Sequence, residues 1–116
     1  MTYTGVARDT FLDLDMAEHP GVRSSSEPYA QLIAATIRGR LGATWGIGET
    51  GAAGPRGNPY GDAAGHTCIA VDGPTAYSET LETGESDREA NMCRFARRTL
   101  EAFAEVLRAG ASPGAA

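Results

Sequence analysis

Residues 46–65, GIGETGAAGPRGNPYGDAAG, constrain the chain more than any other stretch. Seven of these twenty residues are glycine and two are proline. Glycine opens the left-handed region and lets backbones approach closely, whereas proline fixes φ and removes a donor. A long loop of this kind inside a compact domain is costly to order, and loops of that length are usually functional or disordered. The stretch therefore reads as a binding loop, entered from a short apolar strand and left through another.

The flanks place that loop in a fold. Ser26 is the best N-cap for a helix with Glu27 and Pro28 in its first turn. Tyr29, Ile33, Ile37 and Leu41 then recur at helical spacing, with Leu32 and Thr36 beside them, up to Gly42. Trp45 and Ile47 alternate with Gly46 and Gly48, which predicts a strand over 44–50 whose glycines pack closely on a neighbouring backbone. The run His66 to Val71 predicts a buried strand, and residues 76–83 an antiparallel partner turned at Asp72-Gly73-Pro74. Ser86 with Glu89 has the form of a capping box, opening a helix to about Arg108. Its expected apolar stripe is Met92, Ala96, Leu100, Phe103 and Leu107, with Arg97 and Glu101 paired on the other side. A short helix over 8–14 is also expected. The order predicts an α/β domain, a mixed sheet with helices packed against it in three layers.

Composition narrows the function. A net charge of −5 argues against nucleic-acid binding. No apolar run approaches a membrane span, and the first residues resemble no secretory leader, so a cytoplasmic location is expected. All ten basic residues are arginine, so no lysine base or Schiff base is open to this chain acting alone. Cys68 and Cys93 fit no metal spacing and are expected as buried thiols. No metal or cofactor is expected.

The loop chemistry leaves several readings open. Gly46-Ile47-Gly48-Glu49-Thr50-Gly51 matches GxGxxG, but no helix follows it, which argues against a dinucleotide fingerprint. Thr50 to Gly54 could aim successive N–H groups at an anion, with Arg56 and Asn58 nearby. A surface loop shaped only by turn requirements is the alternative. Glu49 is expected to orient loop amides, or to pair with Asp62. Tyr60 suits stacking on a ring or plain packing, and Trp45 suits the core. His66 reads as a strand-entry residue bonded to the loop, with a catalytic imidazole as the alternative.

A resemblance adds to this. Thr50-Gly51-Ala52-Ala53-Gly54-Pro55 resembles the TGxAGP segment of the CinA C-terminal domain family, the PncC-type nicotinamide-nucleotide amidohydrolases. Tyr3 with Arg8 five residues on, Ser26-Glu27, Arg40-Leu41-Gly42-Ala43 and Ser86-Asp87-Arg88 fall where that family has a Tyr and Lys, a Ser-Glu helix start, a helix end and a Gly-x-Asp-Arg helix start. Asn58-Pro59-Tyr60-Gly61-Asp62 and Gly65-His66 mark a divergent branch. The resemblance implies a three-layer α/β domain over 1–108 that hydrolyses nicotinamide mononucleotide to nicotinate mononucleotide and ammonia. It implies Thr50, Arg8 and Tyr3 in the catalytic region. Gly51, Ala52, Gly54, Asn58, Tyr60, His66 and Arg88 would be on the nucleotide, Arg88 on its phosphate.

This chain departs from the family twice. Arg8 stands where the family has its lysine, and arginine is a poor general base. The family's Glu-Ser-x-Thr-x-Gly segment, with the nucleophile, would precede Met1. Little or no amidase activity is therefore expected of this chain, with a non-catalytic nucleotide-binding or assembly module as the alternative. A domain incomplete at its N-terminus would leave a sheet edge or face uncovered, which makes a homo-oligomer an option. None of the serines has a visible base partner, and residues 109–116 are expected to be a disordered tail.

Overall fold

The computed structural model describes residue 2 and residues 4–111; Met1, Tyr3 and positions 112–116 lie outside the described residues. The chain forms α1 (Gly5–Leu12), a 3-10 turn (Met16–Glu18), α2 (Glu27–Leu41), β1 (Gly46–Ala52), β2 (His66–Asp72), β3 (Tyr77–Glu82) and α3 (Arg88–Ala111). The strands form one sheet in the order β1-β2-β3. Gly48 pairs with Ala70 and Ala70 with Ser78, both ladders antiparallel. The α/β architecture is as the sequence predicts. Among the described residues the sheet is antiparallel throughout, so the parallel component of a mixed sheet is not seen.

Local signals explain most boundaries. Ser26 caps α2, its hydroxyl accepting the Tyr29 N–H at 3.3 Å, and Gly42 closes it at φ 61°. Helix α1 starts earlier than expected because Thr4 caps it, accepting the Ala7 N–H at 3.0 Å. Helix α3 is capped by Asp87, which accepts the Ala90 N–H at 3.1 Å, rather than by Ser86. The aspartate stands one residue nearer, so the expected capping box is not used. The helix runs on through Ala111, so the first three residues of the expected tail are helical.

Side chains alternate across the sheet and sort it into three layers. Gly46, Gly48 and Thr50 face α2, together with His66, Cys68 and Ala70 of β2 and Ser78, Thr80 and Glu82 of β3. The other face carries Glu49, Thr67, Ile69, Val71 and Glu79 toward α3. The buried face of α2 is Tyr29, Ala30 and Ala34, while Leu41 is exposed. The reason lies in β1. A Cβ on Gly46 would overlap the Ala34 carbonyl oxygen, and one on Gly48 the Ala30 carbonyl oxygen. Only alanines fit an approach that close, and Ile33 and Ile37 are left half-buried at the margin.

The expected stripe of α3 is corrected as well. Asn91, Phe95, Ala102 and Val106 are buried, whereas Met92, Leu100 and Leu107 are exposed. Trp45 and Phe103 meet edge to face, their centroids 5.6 Å apart. Arg98, not Arg97, forms the ion pairs: it holds Glu79 at 2.6 Å and Glu105 at 3.1 Å. Among the described residues no helix is long and apolar enough to cross a membrane.

The contact between α2 and β1 makes opposite demands at two glycines. Gly48→Ala should destabilise the fold by about 2 kcal/mol or more, because backbone rather than a flexible side chain must give way. Gly39 is on the exposed side of α2 with nothing near its missing Cβ. Gly39→Ala should stabilise by about 0.5–1 kcal/mol through helix propensity. Urea unfolding of both variants checks the pair, and a neutral Gly48→Ala would refute the close approach.

Candidate functional site

The entry to α2 lies over the ends of all three strands. Ser25, immediately before the cap, is buried and held at φ 58°. That conformation is uncommon for a residue with a side chain and clusters at functional sites. Its N–H donates to the Thr50 hydroxyl at 3.1 Å. Its carbonyl accepts from His66 Nε2 at 2.8 Å and from Arg23 at 3.3 Å. Glu27, one turn position on, takes the Ser78 hydroxyl at 2.7 Å and the Thr80 hydroxyl at 2.6 Å. Those two bonds hold its carboxyl below the usual range, despite partial burial.

The 53–65 loop folds back on this cluster. Asn58 shapes it, its Oδ1 accepting the Tyr60 and Asp62 N–H groups at 3.0 and 3.1 Å. The Asp62 carboxylate accepts from Asn58 Nδ2 at 2.8 Å and Arg23 at 2.9 Å. The Asn58 bond is the main reason that Asp62 is held below its usual range. The Arg23 guanidinium also covers the Tyr60 ring, 4.9 Å from its centroid. His66 closes the cluster, with Nδ1 2.5 Å from Glu82 and Nε2 3.5 Å from Asp62.

From the other side, α3 anchors the loop. Arg88 donates to the Gly54 carbonyl at 2.9 Å. Asn91, fully buried, donates to the carbonyls of Ala53 at 2.8 Å and Glu85 at 3.0 Å, and accepts the Thr83 hydroxyl at 2.6 Å. Gly54 needs to be glycine, since its φ is +117° and a Cβ would meet the Ser86 carbonyl at 2.5 Å.

The structure thus gathers Thr50, Asn58, Tyr60 and His66 into one wall, with Gly51, Ala52 and Gly54 as its backbone and Arg88 as its brace. Arg8 sits on α1, its buried Nε 3.6 Å from Asp9, and no described hydrogen bond or ion pair joins it to Thr50 or the loop. Tyr3 lies outside the described residues. Glu49 points to the opposite face, where it accepts the Thr67 hydroxyl, so it neither orients loop amides nor pairs with Asp62. Cys68 is buried as expected, and burial pushes its thiol up; Cys93 is exposed. Ser78 does have a carboxylate partner, Glu27, contrary to the sequence reading.

Arg23, Ser25, Glu82 and Asn91 were not singled out from the sequence as site residues, and Glu27 was read only as part of a helix start. Only Asn91 leaves a readable trace, as a polar residue in phase with Phe95, Ala102 and Val106. Chemically the wall is a set of fixed donors and acceptors. No described serine hydroxyl meets an uncharged base, and among the described residues no three His, Cys, Asp or Glu side chains converge on a metal.

Asn91→Ala should strand the part-buried carbonyls of Ala53 and Glu85 and the Thr83 hydroxyl, at a cost of about 1–3 kcal/mol. Cleavage by trypsin after Arg56, exposed in the loop, should accelerate at the same time. An unchanged cleavage rate would show that Asn91 does not hold the loop.

A family model for the CinA C-terminal domain matches residues 1–107. The CinA-like protein of Anaeromyxobacter dehalogenans strain 2CP-C is 30% identical over 108 residues, covering 93% of this chain and 26% of that protein. The CinA-like protein of Anaeromyxobacter sp. strain Fw109-5 is 39% identical over 82 residues, covering 69% of this chain and 19% of that protein. The chain therefore spans only 26% and 19% of the lengths of these two relatives. In fold it is similar to the competence-damaged protein (CinA) superfamily protein of Escherichia coli, with a TM-score of 0.81 and 24% identity over 90% of this chain and 61% of that one. The corresponding Klebsiella pneumoniae protein gives a TM-score of 0.82 and 24% identity over 92% of this chain and 67% of that one. With residues 1–107 matched and the layers described above in common, this chain belongs to the CinA C-terminal domain family.

Proposed function

We propose that this chain is a nicotinamide-nucleotide amidohydrolase domain that supplies the nucleotide-binding wall for cleavage of nicotinamide mononucleotide to nicotinate mononucleotide and ammonia, in pyridine-nucleotide salvage in the cytoplasm. Acting alone it hydrolyses the carboxamide weakly or not at all. One observation carries the binding half: the Thr50–Pro55 segment is clamped between the entry of α2 and the start of α3. Thr50 keeps its hydroxyl proton available for a ligand while it accepts from Ser25. Arg88 spends one described donor on Gly54, and its remaining N–H groups suit a phosphate.

The hydrolytic half needs an activated nucleophile and a base to take its proton. The chain has no lysine, and Arg8 stays protonated and makes no described hydrogen bond to the wall. Ser78 bonds to Glu27, but that carboxylate is held ionised and is correspondingly weak as a base. A second reading, binding of a nucleotide or another anion without any turnover, is favoured by the same saturation of polar groups.

Ammonia release from nicotinamide mononucleotide by the purified chain should stay at background. Calorimetry should show saturable binding, weakened about tenfold by Thr50→Ala, which corresponds to roughly 1.4 kcal/mol. Robust turnover would overturn the inactivity, and the absence of binding heat would overturn the nucleotide reading.

A further inference from the structure

His66 is buried, yet both of its ring nitrogens face acceptors. Nε2 is 2.8 Å from the Ser25 carbonyl, which can only accept, so Nε2 carries a proton. Nδ1 is 2.5 Å from the Glu82 carboxyl, and the proton between them belongs to one or the other. The Glu82 side chain is 56% exposed, so water reaches its carboxylate, and a carboxylate facing a ring nitrogen can only accept. The ring is then an imidazolium. A buried cation is tolerated only when paired and hydrogen-bonded, and here each requirement is met by a different segment.

We infer that His66 is the positioning residue of this wall: as an imidazolium it ties the entry of α2, the 53–65 loop and β3 to the start of β2, and the wall loosens when the ring loses its proton. The groups that face it are the Ser25 carbonyl from the α2 entry, Asp62 at 3.5 Å from the loop, Glu82 from β3 and the Cys68 thiol at 3.7 Å from its own strand. Arg23 is the nearby cation; it shares the Ser25 carbonyl and the Asp62 carboxylate. Glu27 stands two groups away, through the Cys68 thiol and the Thr80 hydroxyl. Without the ring proton, Glu82 or Ser25 loses its donor, and Asp62 and Glu82 lose the charge between them. Ser25 is held in the left-handed conformation and donates to Thr50, so loss of this anchor moves the Thr50 hydroxyl. Nucleotide enters only through the function proposed above; the clamp itself does not depend on it.

The sign follows from the same contacts. Burial alone would push the ring down, but Glu82, the Ser25 carbonyl and the Asp62 charge outweigh it and hold His66 above the ordinary histidine range. Between about pH 6.5, where the unfolded chain releases this proton, and the raised folded value, the folded state binds more protons. Stability is therefore fully present below about pH 6.5 and is lost as pH rises through that window, by up to about tenfold in the folding constant per pH unit.

The chain has two histidines, which makes the test direct. In an NMR titration His66 should have a midpoint above the ordinary histidine range. Chemical denaturation from pH 6 to 9 should show wild-type stability falling with pH, and His66→Gln should remove that slope. Protection of the Ser25 amide from exchange, corrected for the intrinsic rate, should fall over the same window. A His66 midpoint within or below the ordinary histidine range, or the same slope in His66→Gln, overturns the clamp. Should His66→Gln not fold, Glu82→Gln serves: it should lower the His66 midpoint and reduce Ser25 protection at neutral pH, and an unchanged midpoint overturns the proposal. None of these readings uses nucleotide. A titrating clamp in a protein that binds no nicotinamide mononucleotide would refute the function proposed above and leave the clamp standing.

Discussion

The contact of two alanine carbonyls with two glycines is what the rest of the structure depends on. Ala30 and Ala34 are one helical turn apart, about 6 Å along α2. Gly48 and Gly46 are two strand residues apart, about 6.6 Å along β1. The spacings match closely enough for both carbonyls to settle on bare Cα atoms, Ala30 over Gly48 and Ala34 over Gly46, with the helix running opposite to the strand. A side chain at either glycine would lift the helix. With α2 seated, its first turn must lie over the end of β1 and, through the pairing of Thr50 with Cys68 and Cys68 with Thr80, over the ends of β2 and β3. The polar cluster of Ser25, Glu27, Thr50, His66, Thr80 and Glu82 is a consequence of that placement.

The loop is held by a different device. The sheet cannot hold it, since Ala52 and His66 are the last pair of the β1–β2 ladder. Its backbone polar groups still need partners, and α3 provides them from beyond the sheet edge through Arg88 and Asn91. Asn91 bonds to two segments at once, the loop through Ala53 and the β3–α3 connection through Thr83 and Glu85. One buried amide therefore couples the start of α3 to the loop's first residues, which explains an asparagine where the apolar phase of the helix asks for a hydrophobe. A buried polar group with all its bonds made specifies a single arrangement, because any slip leaves it unsatisfied.

How far the sequence discloses this differs with the physics involved. Caps and strand runs are local, so Ser26, Gly42 and the run from His66 could be read directly, as could the close approach at Gly46 and Gly48. Which face of a helix is buried is not local. Helix α3 carries two apolar series, and the one through Phe95, Ala102 and Val106 lies inside because Asp87 and Asn91 fix its rotation and Phe103 meets Trp45. Helix α2 hides the same ambiguity, with large residues in one series and alanines in another; only the glycines opposite choose the alanines. Within the site, Thr50 and His66 stood out because they border the loop. Ser25, Glu27 and Glu82 did not, because their roles come from contacts across 41, 51 and 16 residues of sequence.

The hydroxyls of the wall show why its chemistry is one of holding. A nucleophilic hydroxyl needs a base that gains by taking its proton, and so a partner whose conjugate acid is not much stronger than the imidazole range. Ser78 and Thr80 instead donate to a carboxylate that their own bonds keep ionised. Each bond that fixes Glu27 in place thus lowers its ability to accept a proton outright. The same trade holds at Asp62, where Asn58 and Arg23 secure the loop by stabilising the anion. Groups satisfied in this way make a rigid polar surface, and rigidity of such groups is what lets binding energy orient a ligand. In a site assembled like this, the reacting pair has to come from side chains outside the network that keeps the wall in shape.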